Sequence, residues 1–183
     1  MGAMLKENDF HIIDNFFEES FFEQLQNDLV GGKNSNMPMY YSSGVAHKGV
    51  DDDYYFTHDF YDNAQPLSPF YGTIITPISE VFRLKTILGG KINWYPRTPE
   101  VFEHEPHVDY YYPIDNILIF VNTCDGFTRM VDGTKVDSVA NRIVLFRGDQ
   151  LHNSSTASNV NLRCTININC FFKEVDEIYG ESI

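Results

Sequence analysis

His107 and Asp109 flank a single valine in the run His107-Val108-Asp109. In an extended strand, residues i and i+2 point to the same side, so an imidazole and a carboxylate converge there. Two histidines and one carboxylate form the facial triad that binds iron(II) and leaves positions open for a cosubstrate and oxygen. His152 is the best-placed histidine to complete it, because it follows an apolar β-type run over 143–146 and the turn Arg147-Gly148-Asp149. His104 stands at odd spacing from His107 and falls on the opposite strand face. His58-Asp59 lies in an acidic stretch without strand character, and His11 and His47 have no partner pattern.

Arg163 opens the last β-rich run. A guanidinium grips a carboxylate through two parallel hydrogen bonds, with a directionality that lysine lacks. Side chains alternate across a strand, so Arg163, Thr165, Asn167 and Asn169 share one face. Cys164, Ile166, Ile168, Cys170 and Phe172 share the other. In a central strand the polar face points into a barrel, where buried polar groups need partners. A bound anionic cofactor is one such partner. A metal triad with one inward arginine suits a chelating dicarboxylate cosubstrate. The plain alternative makes His107 a satisfied strand histidine, Asp109 a turn acid and His152 a surface residue.

The elements that must position these groups follow from periodicity. Phe21, Phe22, Leu25 and Leu29 make an apolar stripe at helical spacing over 18–30, ended by Gly31-Gly32. A second helix is expected over 69–84, from Tyr71, Ile74, Ile75, Ile78 and Phe82. The segment 33–67 between them is rich in Asp, Tyr, Ser and Gly. It reads as a long loop, expected to cover the site as a lid. From about residue 87, β-rich runs at 91–95, 107–112, 116–122, 135–139, 142–147 and 162–172 alternate with turn residues. Helices followed by strands predict a mainly β fold with N-terminal helices packed on one sheet. The expected organisation is a single domain over 1–183, with helical support and lid at about 5–86 and the β core at about 87–172.

The ordered set Asn93-Trp94-Tyr95-Pro96, His107-Val108-Asp109, Gly126-Phe127-Thr128, Ile143-Val144-Leu145-Phe146, His152 and Arg163-x-Thr165 resembles the iron(II)/2-oxoglutarate-dependent oxygenases, most closely their prolyl 4-hydroxylase-like branch. The resemblance covers about residues 87–172. It implies a double-stranded β-helix, or jelly roll, with Fe(II) on His107, Asp109 and His152. It further implies 2-oxoglutarate and O2 as cosubstrates, with the distal carboxylate of 2-oxoglutarate on Arg163 and assisted by the Tyr95 hydroxyl. A plain core role is the alternative for Tyr95. Thr165 and Asn167, on the face of Arg163, are expected to line the same pocket. The implied reaction hydroxylates an unactivated C–H bond and releases succinate and CO2. A carboxylate at 109 favours hydroxylation, since halogenating relatives carry a small residue there.

Composition narrows the partners. Thirteen Lys and Arg against 26 Asp and Glu give a net charge of −13. Such a charge repels a phosphate backbone, so nucleic-acid substrates are not expected. No apolar run approaches the ~20 residues of a membrane span. Three cysteines without paired spacing suggest a reducing, cytoplasmic setting. The expected substrate is a peptidyl, prolyl-like side chain. A free amino acid or other small molecule is the alternative, and a non-catalytic jelly-roll binding module is the rival from another class. The aromatic clusters 53–56 and 110–112 suit either a substrate groove or a sheet edge. The sequence sets no oligomeric state.

Overall fold

A computed structural model describes residues 5, 8–31, 37–45 and 54–172. The chain runs β1 (Phe10–Ile13), α1 (Glu19–Val30), β2 (Tyr40–Ser43), β3 (Tyr54–Asp62), β4 (Gln65–Pro66), α2 (Phe70–Phe82) and β5 (Thr86–Pro96). It continues through β6 (Asp115–Phe120), β7 (Phe127–Arg129), β8 (Lys135–Asp137), β9 (Arg142–Arg147), β10 (Asn153–Ser154) and β11 (Leu162–Phe171). The larger sheet has the order β1-β9-β6-β11-β5-β3-β2, with β4 beside β3, and the smaller is β10-β7-β8. Every pairing is antiparallel. Leu118, Phe120, Val144 and Phe146 of the larger sheet pack against Met130 and Val136 beside and within the smaller. This is a two-sheet β sandwich of the jelly-roll kind.

The core lies on the other face of the larger sheet. Phe22, Leu25 and Leu29 of α1 and Ile74, Ile75, Ile78 and Phe82 of α2 are buried, as their spacing predicts. They cluster with Ile92 and Trp94 of β5 and with Cys164, Ile166, Ile168 and Cys170 of β11. The indole of Trp94 donates to the Leu29 carbonyl at 3.0 Å, which ties the end of α1 to the sheet. Arg83 closes α2 in the left-handed region at φ 48°. No helix among the described residues is long and apolar enough to cross a membrane.

Two expectations need correction. The segment 33–67 is not one loop, because its described part contains β2, β3 and β4. Beneath the acidic and tyrosine-rich composition, β3 inserts Tyr55, His58 and Phe60 inward as it pairs with β5. Together with β1 on β9, this makes the region before residue 86 a contributor to the larger sheet as well as a helical support. The remaining lid positions, 33–36 and 46–53, lie outside the described residues. The second correction concerns 107–112, which is not a strand. Pro106 and Pro113 bracket it and neither can donate to a ladder. Its one strand-type pairing among the described residues is an isolated bridge, His107 to His152.

Candidate metal centre and adjoining pocket

That bridge brings the histidines together. The His107 N–H donates to the His152 carbonyl at 2.9 Å, and the His152 N–H returns the bond at 3.0 Å. The Asp109 N–H donates to the Gly148 carbonyl at 2.9 Å, curling the carboxylate back toward the rings. Asp109 Oδ1 lies 3.8 Å from His107 Nε2 and 4.0 Å from His152 Nε2. One ligand atom from each residue falls within 4.8 Å of the others, a spacing that a single cation can close. The convergence expected from strand alternation is real, but a backbone bridge produces it. His152 Nδ1 lies 3.0 Å from the Gln150 carbonyl, so an N–H there leaves Nε2 as the lone-pair nitrogen. Burial, and then the neighbouring His152 ring, bring His107 down to about 4, so its imidazole is neutral at pH 7.

Asp109 is held by three amides. Its Oδ2 accepts from Asn116 Nδ2 at 2.5 Å, Asn167 Nδ2 at 3.0 Å and Asn169 Nδ2 at 2.9 Å. This occupies one carboxylate oxygen and leaves Oδ1 facing the imidazoles. Burial pushes the carboxyl up, but His152, Lys91 and the Asn167 bond outweigh it and hold the group at about 2. Asn167, expected in the cosubstrate pocket, orients the Asp109 carboxylate. Asn116 and Asn169 were not singled out from sequence as site residues. The shared face of Asn167 and Asn169 carries a signal for Asn169, while Asn116 comes beside it only through the β6–β11 register.

The pocket beyond the triad ends on Arg163. Neighbouring strands put Tyr95 opposite Arg163, Asn93 opposite Thr165 and Lys91 opposite Asn167, so all six line one face. With His107 and His152, they border a single cavity. Arg163 is fully buried. Its Nη1 donates to the Ser155 carbonyl at 3.2 Å and its Nη2 to Thr128 Oγ1 at 3.1 Å, while Nε has no partner. Its guanidinium lies 5.3 Å from the Tyr95 ring centre and 5.4 Å from that of Phe120. No carboxylate among the described residues pairs with it, and burial lowers its pKa from the ordinary value. A Cβ at Gly126 would stand 2.6 Å from Arg163 Cδ, so only glycine leaves room for this arginine.

Tyr95 is buried and stacks on Tyr55 at 5.7 Å, with its phenol raised by burial against the opposing pull of Arg163 and Ser154. Asn93 Nδ2 reaches Thr165 Oγ1 at 3.5 Å. Lys91, which sequence reasoning missed, is half-buried. Burial works against its ammonium, but Asp109, Tyr55 and Tyr95 overcome it and raise the pKa. Of the aromatic clusters, Tyr55 borders the pocket, Tyr110 lines a neighbouring cleft, and Tyr111 is 97% exposed.

No family model and no curated protein matches the sequence. Solved structures do match in shape. An oxidoreductase of the 2OG-Fe(II) oxygenase family from Burkholderia pseudomallei superposes with a TM-score of 0.66 at 12% identity, over 89% of this chain and 85% of that one. A prolyl hydroxylase from Trichoplax adhaerens, in complex with a hypoxia inducible factor peptide fragment, gives 0.62 at 14% identity, over 97% and 88%. HygX from Streptomyces hygroscopicus, with nickel, 2-oxoglutarate and hygromycin B bound, gives 0.55 at 11%, over 91% and 83%. The chain has the jelly-roll fold that these oxygenases share.

Proposed function

We propose that the protein is an iron(II)- and 2-oxoglutarate-dependent oxygenase, acting as a single domain. It couples hydroxylation of an unactivated C–H bond to conversion of 2-oxoglutarate and O2 into succinate and CO2. The observation that carries this reading is Arg163, a fully buried guanidinium with no carboxylate partner among the described residues, in the same cavity as His107 and His152. A buried, incompletely paired cation is costly unless an anion joins it. The distal carboxylate of 2-oxoglutarate supplies that anion.

The donor set of two imidazoles and one carboxylate fits iron(II), and His107, Asp109 and His152 would hold it. Bound iron supplies activation of oxygen beside the keto acid. The chain supplies positioning. Arg163 sets the depth of the cosubstrate, the Tyr95 and Phe120 rings flank the guanidinium and keep water from it, and Thr165 and Asn93 offer polar contacts along the wall. The three asparagines hold Asp109 through one oxygen, which leaves its other oxygen for the metal. The neighbours with a bound peptide and with hygromycin B support a peptidyl or a small-molecule substrate alike. Three buried, unpaired thiols, Cys124, Cys164 and Cys170, support a cytoplasmic setting.

The test is succinate formation from 2-oxoglutarate by iron-loaded protein under oxygen, with and without a peptide and metabolite library. Iron- and oxygen-dependent succinate is expected. A protein that binds neither metal nor 2-oxoglutarate would be a jelly-roll binding module instead.

A further inference from the structure

We infer that the cleft beside Asp109 receives the primary substrate, and that this substrate is a small molecule carrying an amine. The inference rests on the oxygenase reading and narrows it. The cleft encloses about 280 Å³ between β3, β5, the end of β11 and the Asp109-Tyr110 turn. It shares Asp109 with the metal set and Lys91 with the cosubstrate pocket, so a molecule lodged there abuts both. The volume sits at the lower edge of ligand sites, which suits a molecule the size of an amino sugar or a short polyamine.

The walls of this cleft mostly accept hydrogen bonds. Asn169 is only 7% exposed, and its amide nitrogen donates to Asp109 Oδ2 at 2.9 Å. Its Oδ1 has no hydrogen-bond partner among the described residues. A Cβ on Gly89 would meet that oxygen and the Tyr110 hydroxyl, each at 3.5 Å, so both sit over the bare backbone of the cleft floor. Asp59 stands opposite Lys91 in the β3–β5 register and lines the same space, as does Asp62. Asp62 accepts one amide bond, from Asn63 at 2.8 Å. Lys91 is the single cation in the lining among the described residues. It makes no ion pair with a described residue within 4.0 Å.

Charge decides the class. When Asp109 serves a metal, Asp59 and Asp62 outnumber Lys91, and a ligand ammonium restores the balance. A carboxylate or phosphate would face two like charges. An ammonium also donates in three directions, which matches Asn169 Oδ1 and the Asp59 carboxylate. Tyr61 and Tyr110 line the same space.

The test titrates matched probes into zinc-loaded protein saturated with 2-oxoglutarate, read by calorimetry. The probes are glucosamine against glucose, putrescine against butane-1,4-diol, and a lysine peptide against its acetyl-lysine form. At least one small amine is expected to bind about tenfold or more tightly than its neutral twin. Asp59→Asn is expected to remove most of that advantage, and Gly89→Leu, which fills the floor, to abolish binding. The 2-oxoglutarate affinity of each variant reports whether its fold is intact. Equal affinities within every pair, an amine affinity untouched by both variants, or binding of the lysine peptide alone would overturn the inference. If wild-type protein fails to bind 2-oxoglutarate, the oxygenase reading itself falls, and the two failures are distinct.

Discussion

The two faces of β11 are buried alike and built from opposite chemistry. One carries Cys164, Ile166, Ile168 and Cys170 into the helix-covered core, and the other carries Arg163, Thr165, Asn167 and Asn169 into the sandwich. The apolar face needs only to exclude water, and its burial stabilises the fold. The polar face must find a partner for every donor and acceptor. Among the described residues, Asn167 and Asn169 give their amide nitrogens to Asp109, whereas Asn167 Oδ1 and Arg163 Nε stay unpaired. The unmet demand on the second face marks the site, and it is invisible in burial alone.

The comparison can be broken from either side. Ile166→Ala on the apolar face should cost about 2–5 kcal/mol of stability, read by denaturant unfolding, because a fully buried side chain leaves a cavity. A loss under about 1 kcal/mol would mean that this face can collapse and is not a packed core. On the polar face, Asn116→Leu keeps the branched outline of the side chain but withdraws one donor from Asp109 Oδ2. Metal affinity should fall by roughly 10–100-fold, with little change in the stability of the metal-free protein. Unchanged metal affinity would reduce the asparagine trio to packing.

A pH effect concerns His104, buried at 2% exposure beside the pocket. Burial, and then the nearby Arg163 charge, lower its pKa to about 4 from the ordinary 6.5. The unfolded chain therefore takes up a proton below 6.5 that the folded chain refuses until about 4. Stability should fall with pH across that window by up to ~1 kcal/mol per unit, then level off below it. His104→Phe should flatten the slope in a pH series of melting curves, and an unaltered slope would assign it to other groups.

Much of this was legible because it lay in periodicity within one element. The alternation of β11 exposed its two faces, and the helical stripes of α1 and α2 appeared at nearly their observed bounds. The meeting of His107, Asp109 and His152 was legible from residue type, although their convergence comes from the His107–His152 bridge and not from a strand. What was hidden depends on register between strands distant in sequence. Asn116 meets Asn169 only once β6 pairs with β11, and Lys91 meets Asn167 only once β5 does. The strand β3 was hidden because acids and tyrosines dominate its composition, while its inward residues are fixed by pairing with β5.

If Arg163 serves to hold a carboxylate, 2-oxoglutarate affinity must depend on it. Titration of metal-loaded protein should show Arg163→Ala weakening 2-oxoglutarate by about 2–5 kcal/mol, the range for removing one partner of a buried charge pair. Arg163→Lys, which keeps charge but loses the fork, should fall between that variant and wild type. Both should retain metal, since Arg163 lies outside the ligand set. If Arg163→Ala binds metal and 2-oxoglutarate as wild type does, the cosubstrate assignment is wrong and the oxygenase reading fails with it.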